Sequence, residues 1–264
     1  MRHKLLFTAC LIFPLMGALL STPAMADPWY GETPDLALRS CQHLYAMGVR
    51  RSGVYFLKPD GTQALTTYCD METQGGGWAM VYNSVLGTNT TDFWNIPYAD
   101  RLGRRGRASL DSNFYDGSLY TYRKTEFVDS VRYMDVVEDL RGKTVILFTA
   151  RIDGFNTSTM RFQGPQQIGD GSSAVYSRQF ASGWASPDYD GDATPVVQCS
   201  ANYANVTQHY DGCWVYNLGA DAELPVEDGR VGPHLNSSVA VERGLVTDGT
   251  VHTRVRRITR FVRW

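Results

Sequence analysis

Residues 40–84 read SCQHLYAMGVRRSGVYFLKPDGTQALTTYCDMETQGGGWAMVYNS, and this stretch decides the fold. Its first part predicts a short helix, because Ser40 is a good N-cap residue and Gly48 a good terminator. The spacing of the larger apolar side chains indicates the buried face of this helix. That face is expected to carry Cys41, Leu44, Tyr45 and Met47.

The remainder of the stretch predicts a β-hairpin followed by a third strand. Residues 54–57 and 65–68 are mostly apolar or β-branched, and the Pro-Asp-Gly sequence at 59–61 favours a turn between them. Three glycines at 75–77 allow left-handed backbone and close packing. They precede a strand predicted at 78–82, whose first residue, a tryptophan, is expected to fill the core.

Length, charge and composition limit the classes of protein to consider. The chain has 264 residues, with 25 Lys and Arg against 27 Asp and Glu and a net charge of −2. Its 25 glycines and 11 prolines follow no period, which excludes collagen-like and low-complexity chains. This charge gives no reason to expect nucleic acid or another polyanion as a partner. No apolar run after residue 26 is long enough to span a membrane.

Residues 1–26, MRHKLLFTACLIFPLMGALLSTPAMA, have the pattern of a signal peptide. A membrane anchor and a lipoprotein cysteine at Cys10 are the alternatives. Pro14 interrupts the apolar run, and most of that run follows Cys10, which favours the signal peptide. The sequence therefore predicts a secreted protein, extracellular or, in a Gram-negative source, periplasmic. Residues 27–39 are predicted to form a short leader and residues 40–264 the folded domain.

Four cysteines remain after the predicted signal peptide: Cys41, Cys69, Cys199 and Cys213. An even number in an exported protein points to two disulfides, which can be connected in three ways. Proximity in the sequence favours the pairs Cys41–Cys69 and Cys199–Cys213. A four-cysteine zinc site is the alternative, but the chain lacks the Cys-x2–4-Cys spacing of such sites.

Beyond the opening stretch, the pattern indicates one irregular α+β domain. Residues 144–152 and 255–264 are predicted to be strands. Residues 125–140 fit a helix or a strand equally well. Residues 83–120 and 153–250 are rich in turn-forming residues, so we expect long loops there, and long loops often carry function.

The string from Cys41 to Trp78 resembles the opening of fibrinogen-like domains. It has a cysteine on a helix, Ser-Gly-Val-Tyr, a Pro-Asp-Gly turn, and then Tyr-Cys-Asp-Met-x-Thr-x-Gly-Gly-Gly-Trp. Residues 199–219, CSANYANVTQHYDGCWVYNLG, are similar to the second disulfide loop of that family. The paired tryptophans of that loop are absent, and Trp214 stands where animal members often have histidine. With these departures, the sequence resembles a divergent bacterial branch of the family.

The resemblance implies a fold and a disulfide pattern. We expect a single fibrinogen-like domain of the α+β class, with a short central antiparallel sheet, long loops and two disulfides. The family pattern implies the same two pairs that sequence proximity favours.

Three aspartates at alternate positions precede the second disulfide loop. Carboxylates in a turn-rich loop, together with backbone carbonyls and water, suit Ca²⁺, and a solvated acidic turn is the alternative. Fibrinogen-like domains have a calcium loop at this place, so the resemblance implies Ca²⁺ at Asp190 and Asp192. Asp188 is expected as a substitute or water-mediated ligand, and the carbonyls of Thr194 and Val196 as further ligands.

The same resemblance implies a ligand site beside the second disulfide, for an acetylated sugar or another acetylated group. Backbone N–H groups at the peptide Gln198–Cys199 are expected to contact the ligand. Aromatic rings are expected to form a wall, because the C–H faces of sugars stack on them, and core packing is the alternative for each ring. The wall is expected to include Trp214 first, then Tyr203, with His209 and Tyr210, whereas Tyr216 is expected in the core.

The sequence contains no Gly-x-Ser-x-Gly, His-Glu-x-x-His, P-loop or dinucleotide motif, so we expect no enzymatic activity. The leading hypothesis is a secreted, calcium-dependent, lectin-like domain. The second is a structural or adhesive cell-envelope protein that binds other cell-surface proteins. The third is an exported hydrolase that uses His209 and Asp211 with His43 or His234, or the paired carboxylates.

Two groups of arginines remain outside these hypotheses. Four lie at 101–107 and five at 254–263, and they could form an anion-binding face. The alternative, which we favour, is that they pair with the aspartates of the chain. Neither group has the interleaved aromatic residues of a nucleic-acid site.

Overall fold

The computed structural model describes residues 29–87, 90–168, 174–219, 232–247 and 252–264. The signal peptide predicted at 1–26 lies outside the described residues and stays a prediction. Within these ranges, no helix combines the length and the apolar character needed to cross a membrane.

Five α-helices, four short 3-10 helices and sixteen strands make up the described fold. The α-helices are α1 (Cys41–Ala46), α2 (Thr90–Trp94), α3 (Ala174–Ala181), α4 (Cys199–Asn202) and α5 (Ser237–Glu242). The 3-10 helices are Pro34–Leu36, Thr73–Gly75, Tyr98–Asp100 and Gly117–Thr121. The strands are β1 (Gly53–Leu57), β2 (Leu65–Asp70), β3 (Trp78–Val85), β4 (Arg104–Gly106), β5 (Phe114–Asp116), β6 (Val131–Glu138), β7 (Thr144–Ile152), β8 (Gly154–Asn156), β9 (Arg161–Gln163), β10 (Gln166–Gln167), β11 (Gly183–Ala185), β12 (Gln208–Tyr210), β13 (Tyr216–Asn217), β14 (His234–Leu235), β15 (Thr253–Arg254) and β16 (Arg257–Arg263).

A nine-stranded antiparallel sheet organises the domain. Its order is β1-β2-β3-β16-β6-β7-β10, and β5 also pairs with β3 and carries β4 on its other side. The last strand, β16, lies at the centre, between β3 and β6. Small sheets β8–β9, β11–β12 and β13–β14–β15 lie within the long loops. This arrangement confirms the predicted α+β fold with an antiparallel sheet.

The helix predicted at the start of the opening stretch is α1. The Ser40 hydroxyl accepts a hydrogen bond from the backbone N–H of His43 at 3.0 Å, which confirms the predicted N-cap. Leu44 is fully buried, as the apolar spacing indicates. The predicted burial of Met47 is wrong, because this residue is the C-cap and is 44 % exposed.

Two disulfides form between the cysteines that are close in sequence. Cys41–Cys69 links α1 to β2, with the Cα atoms 5.6 Å apart. Cys199–Cys213 closes the second loop, with the Cα atoms 5.1 Å apart. Both predicted pairs are confirmed, and the zinc alternative falls because disulfide sulfurs are not thiolate ligands.

The three glycines before Trp78 adopt the left-handed backbone that the sequence predicts for them. Their φ angles are +84°, +70° and +77° at Gly75, Gly76 and Gly77. Trp78 is 1 % exposed, and its Nε1 donates to the Thr73 carbonyl at 2.8 Å. The glycine turn therefore places the Trp78 ring in the core at the start of β3.

Residues 125–140, for which the pattern fits a helix or a strand, contain the strand β6. Tyr133 and Val137 belong to the larger core, whereas Met134 and Val136 belong to a smaller core on the other face of the sheet. A strand that is buried on both faces does not alternate polar and apolar residues. This double burial explains why periodicity alone does not separate helix from strand here.

A buried ion pair lies at the centre of the sheet. Arg260 on β16 is the register partner of Asp135 on β6, and two of its nitrogens donate to the two carboxylate oxygens at 2.7 Å each. Both side chains are fully buried. Arg260 also donates to the Tyr216 hydroxyl at 2.9 Å, and Tyr176 donates to Asp135 at 3.1 Å. The pair thus connects the sheet to α3 and to the segment that follows the second disulfide.

Candidate functional site

The second disulfide holds a small apolar cluster that is separate from the two cores of the sheet. Gly212 and Cys213 have φ angles of +57° and +52°, and such consecutive left-handed residues make a tight bend directly before Trp214. The structure brings together most of the predicted ligand-site residues. The cluster contains Ala185, Cys199, Tyr210, Cys213 and Trp214, and the partly buried Val197 and Tyr203 pack against it.

Trp214 forms the centre of this cluster. Its ring meets Tyr203 edge to face, with centroids 5.8 Å apart and an interplanar angle of 88°. On another side it contacts His252, with centroids 4.8 Å apart. Trp214 is 7 % exposed, so only a small part of its ring is accessible to a ligand. No sequence pattern indicates His252, because it reaches the ring from a distant part of the chain.

His209 lies in the interior and not on an exposed wall. It is 2 % exposed and stacks on Phe162, with centroids 5.1 Å apart. Its Nε2 lies 2.8 Å from the Met160 carbonyl and its Nδ1 lies 3.4 Å from an Arg260 nitrogen. A carbonyl only accepts and a guanidinium only donates, so the ring carries its proton on Nε2 and is neutral.

Burial, and to a smaller extent the charge of Arg260, lower the pKa of His209 to about 3. A ring in this state can neither contact a surface ligand nor exchange protons with a substrate. His209 is therefore not part of the predicted aromatic wall, and the hydrolase hypothesis loses His209 as a base.

We predict that His209 makes the protein less stable in mild acid. Its pKa is about 3 in the folded state and near the usual 6.5 when unfolded, so the unfolded chain binds the proton first as the pH falls. The resulting loss of stability is present below pH 6.5, reaches about 2 kcal/mol by pH 5, and continues towards pH 3. The free energy of unfolding, measured with urea at several pH values, should fall less steeply with decreasing pH in His209→Gln than in the wild type. Equal slopes for the variant and the wild type would contradict this assignment.

The other predicted tyrosines lie at different depths. Tyr210 is fully buried, donates its hydroxyl to the Val206 carbonyl at 2.5 Å, and has a pKa that burial raises well above the usual value. Tyr203 is only partly buried, at the edge of the cluster. Tyr216 is 1 % exposed, which confirms its predicted place in the core. Of the predicted wall, Tyr203 and Trp214 therefore keep the most accessible surface.

Two buried glutamines support the site, and sequence reasoning missed both. Gln179 on α3 donates to the carbonyls of His209 and Tyr216 at 2.7 and 2.8 Å, and it accepts from the Tyr216 N–H at 3.0 Å. Gln208 donates to the Tyr216 carbonyl and accepts from the Leu218 N–H, both at 2.8 Å. A glutamine in a turn-rich sequence is usually exposed, so no pattern distinguishes these two.

Asp192 attaches the acidic loop at 186–198 to the start of α4. One carboxylate oxygen accepts from the Thr194 N–H at 2.7 Å, and the other accepts from the Cys199 N–H at 2.8 Å. The Cys199 N–H, which we expect from the sequence to contact a ligand, is therefore bound to Asp192 in this structure.

Gln198 makes a second attachment between the loop and the helix. Its side-chain oxygen accepts from the Ala201 N–H at 2.6 Å, so Gln198 is the N-cap of α4. Its amide nitrogen donates to the Ser186 carbonyl at 2.8 Å. Gln198 thus has a structural role beside the disulfide, and its side chain is already engaged.

The three aspartates of the loop differ in their surroundings. Desolvation and the neighbouring charge of Asp192 raise the pKa of Asp190. In contrast, hydrogen bonds from the Tyr98 N–H at 2.8 Å and the Ser186 hydroxyl at 2.8 Å lower the pKa of Asp188. The described part of the chain holds no group of three or more His, Cys, Asp or Glu side chains arranged for a metal. Of the three carboxylates, Asp190 and Asp192 are the two that act on each other electrostatically.

A stacked aromatic pair connects the acidic loop to the rest of the domain. The rings of Tyr98 and Tyr189 lie 4.4 Å apart, and Trp184 packs against both. The sequence does not indicate this pair, because Tyr98 belongs to a segment far from the loop in sequence. The loop is therefore fixed at one end by this pair and at the other by α4.

Comparisons with known proteins point to one family. Residues 37–224 match the family model described as the C-terminal globular domain of the fibrinogen beta and gamma chains. Angiopoietin-related protein 7 of Bos taurus is 32 % identical over 118 residues, which cover 37 % of this chain and 34 % of that protein. Fibroleukin of Homo sapiens is 26 % identical over 193 residues, which cover 69 % of this chain and 42 % of that protein. The alignments therefore span well under half of the length of these relatives.

Solved structures show the same fold. The fibrinogen-like globe domain of human ANGPTL6 aligns with a TM-score of 0.57 and 17 % identity, over 91 % of this chain and 98 % of that one. The lamprey fibrin D-dimer, solved with the peptide Gly-His-Arg-Pro-amide, aligns with a TM-score of 0.57 and 15 % identity, over 86 % of this chain and 73 % of that one. At these identities the likeness concerns the fold.

Proposed function

The chain belongs to the family of fibrinogen C-terminal globular domains, and on that premise we propose that it is a non-enzymatic recognition domain. We propose that it binds glycans or acetylated groups beside the Cys199–Cys213 disulfide. The observation that carries this proposal is the Tyr203–Trp214 ring pair, held at the disulfide next to an acidic loop that is attached to the same helix.

The chemistry of the ring pair favours a sugar or an acetyl group. Aromatic rings contact the C–H faces of sugars, and the edge-to-face arrangement leaves an angle between the two rings. Because Trp214 is largely covered, the contact area is small and a single site is expected to bind weakly. Useful affinity would then require several copies of the domain or several ligand groups on one surface.

We propose Ca²⁺ as a structural cofactor of the acidic loop. Asp190 and Asp192 would supply the charged ligands, and the carbonyls of Thr194 and Val196 could complete an oxygen donor set. A cation would offset the repulsion between the two carboxylates, for which the raised pKa of Asp190 is the support. Since Asp192 also accepts from the Cys199 N–H, order in the loop would extend to α4 and reduce the cost of ordering on ligand binding.

Asp190→Asn is expected to weaken Ca²⁺ binding about tenfold or more, because it removes one of two charged ligands. Calorimetric titration of the purified protein with Ca²⁺ measures this, and the calcium-induced rise in the unfolding midpoint gives a second readout. Asp188→Asn is the matched control, because its carboxylate is held by Tyr98 and Ser186. A wild-type protein that takes up no Ca²⁺, or equal losses in both variants, would overturn the calcium proposal.

The sugar proposal is tested with a glycan array, in calcium and after chelation. We expect a restricted set of bound glycans, and we expect Tyr203→Ala to lose them while keeping the wild-type unfolding midpoint. Trp29→Ala is the control, because Trp29 is 73 % exposed and lies outside the cluster. An array with no bound glycan would shift the proposal to protein recognition.

Protein binding is the second candidate function. Val196 is 86 % exposed beside the site, and an exposed apolar side chain suits a protein partner. The lamprey fibrin relative was solved with a peptide ligand, which supports recognition of peptides on this fold. A structural or adhesive role predicts no glycan binding, together with capture of specific cell-surface proteins that Val196→Ser weakens.

We make two further proposals, on the location of the protein and on its source. We propose that the protein is secreted, on the basis of its N-terminal pattern and its two disulfides, which form in oxidising compartments. The departures around Trp214 support placement in a divergent bacterial branch. N-terminal sequencing of the exported protein would test the cleavage predicted after residue 26.

A further inference from the structure

A cleft of about 480 Å³ lies between the β1–β2 hairpin and β4. It shares no residue with the site beside the second disulfide. Its volume falls within the range of small-ligand sites, which is about 300 to 1,000 Å³. Its polar lining comes from Arg104, Arg107, Thr66 and Ser109, and its apolar lining includes Val54 and Ala108.

The positive charge of this cleft is only partly compensated by carboxylates of the described residues. No carboxylate lines it. The Arg104 guanidinium lies 3.9 Å from the carboxylate of Asp116, which also accepts from the Ser118 hydroxyl at 2.5 Å, so Asp116 offsets part of the Arg104 charge. Among the interactions of the described residues, none involves the guanidinium of Arg107, which is exposed. The pairing with aspartates that we expect from the sequence therefore does not hold for Arg107.

Arg104 is held in a fixed orientation. One of its terminal nitrogens donates to the Thr66 carbonyl and to the Thr66 hydroxyl, the latter at 2.9 Å. Its guanidinium also lies 5.2 Å from the centroid of the Phe114 ring. A guanidinium that is already ordered loses little freedom when it binds an anion, which favours recognition.

We propose that this cleft binds the sulfate or phosphate ester group of an anionic saccharide. Two guanidinium groups present planar donors that match the oxygens of such an ester. The hydroxyls of Thr66 and Ser109 accept from Arg104 and from the Asp111 N–H, so each keeps its own proton to donate to the ligand. Val54, which is 51 % exposed, offers an apolar surface for the C–H groups of the sugar.

The local charge of the cleft, and not the net charge of the chain, would attract an anionic ligand. The chain as a whole has a net charge of −2, so general attraction of polyanions is not expected. Binding of an anionic saccharide would therefore depend on particular arginines. The inference does not rest on the proposed function, since Trp214 and the acidic loop take no part in it.

The test uses the purified full chain and calorimetric titration with three probes of equal length: a sulfated dextran oligosaccharide, a phosphorylated one and an unmodified one. We expect an anionic probe to bind and the unmodified one not to bind. Loss of one charge-assisted contact is expected to weaken binding about tenfold in Arg107→Gln and in Arg104→Gln. Preference for the sulfated or the phosphorylated probe identifies the ester.

Arg151→Gln is the matched control, because it removes the same charge from an exposed arginine on β7 outside the cleft. We expect it to retain affinity within about twofold, because Arg151 does not line the cleft. Equal weakening by all three variants, or no weakening in Arg107→Gln, would overturn the proposal. Complete displacement by equimolar inorganic sulfate would also overturn it, since that result assigns an ion site without the sugar. If Arg104→Gln lowers the unfolding midpoint because the contacts of Arg104 with Thr66 are lost, the affinity of Arg107→Gln alone decides the test.

Discussion

Asp135→Ala is expected to lower the free energy of unfolding by about 3 to 5 kcal/mol, because it leaves Arg260 buried without its counter-charge. Both carboxylate oxygens of Asp135 accept from the guanidinium, and both side chains are fully buried. Urea unfolding should show a lower midpoint with an unchanged slope.

Two controls separate loss of the ion pair from loss of a side chain. Asp129→Ala removes a carboxylate that pairs with Arg132 at 2.6 Å on the exposed surface, and should cost less than about 1 kcal/mol. The double variant Asp135→Leu with Arg260→Met removes both charges and should recover most of the loss. If Asp135→Ala and the double variant are equally unstable, packing and not the unpaired charge is the cause.

The same ion pair explains why the candidate site depends on residues far from it. Arg260 donates to Tyr216, and Tyr216 is held in turn by Gln179 and Gln208. A terminal nitrogen of Arg260 also lies 3.4 Å from Nδ1 of His209, which continues this network towards the second disulfide. The loop that carries Trp214 is therefore fixed to the central strand of the sheet through buried hydrogen bonds. We expect variants of the pair to weaken ligand binding as well as stability.

Local features of this fold are predictable from the sequence, because the interactions that specify them are local. The Ser40 cap involves residues three apart, the turn at 59–61 depends on its own backbone preferences, and the strand predicted at 144–152 coincides with β7. The disulfides follow from proximity in the chain. Each of these elements is specified by residues that lie close together in the sequence.

Other features could not be predicted, because they depend on contacts between distant segments. Nothing near Arg260 in the sequence indicates that Asp135 neutralises it, so an arginine in an apolar strand looks like a surface residue. His209 lies close in sequence to Trp214, but β12 pairs with β11, and His209 and Tyr210 are both buried there. In the acidic loop, spacing alone treats the three aspartates as equal, whereas the fold turns Asp188 towards Tyr98.

Gly76→Ala is the second substitution with a large expected effect, a loss of about 3 to 5 kcal/mol from backbone strain and overlap together. Gly76 has φ +70° and ψ −175°, a region that is essentially restricted to glycine. An added Cβ would lie 2.6 Å from Cε2 of Tyr45 and closer still to the carbonyl oxygen of Met71. Because the Met71 contact is with backbone, relief requires movement of the segment between β2 and β3.

Gly61→Ala is the matched control for this prediction. Gly61 also has a left-handed φ, +78°, but no atom lies within 4 Å of its added Cβ, so only the strain of about 1 kcal/mol remains. Thermal and urea unfolding of both variants measure the difference. If the two variants lose equal stability, close packing at the glycine triplet is not what requires glycine there. A larger loss in Gly76→Ala instead shows that close packing against Met71 and Tyr45 is what requires glycine at this turn, two residues before the buried ring of Trp78.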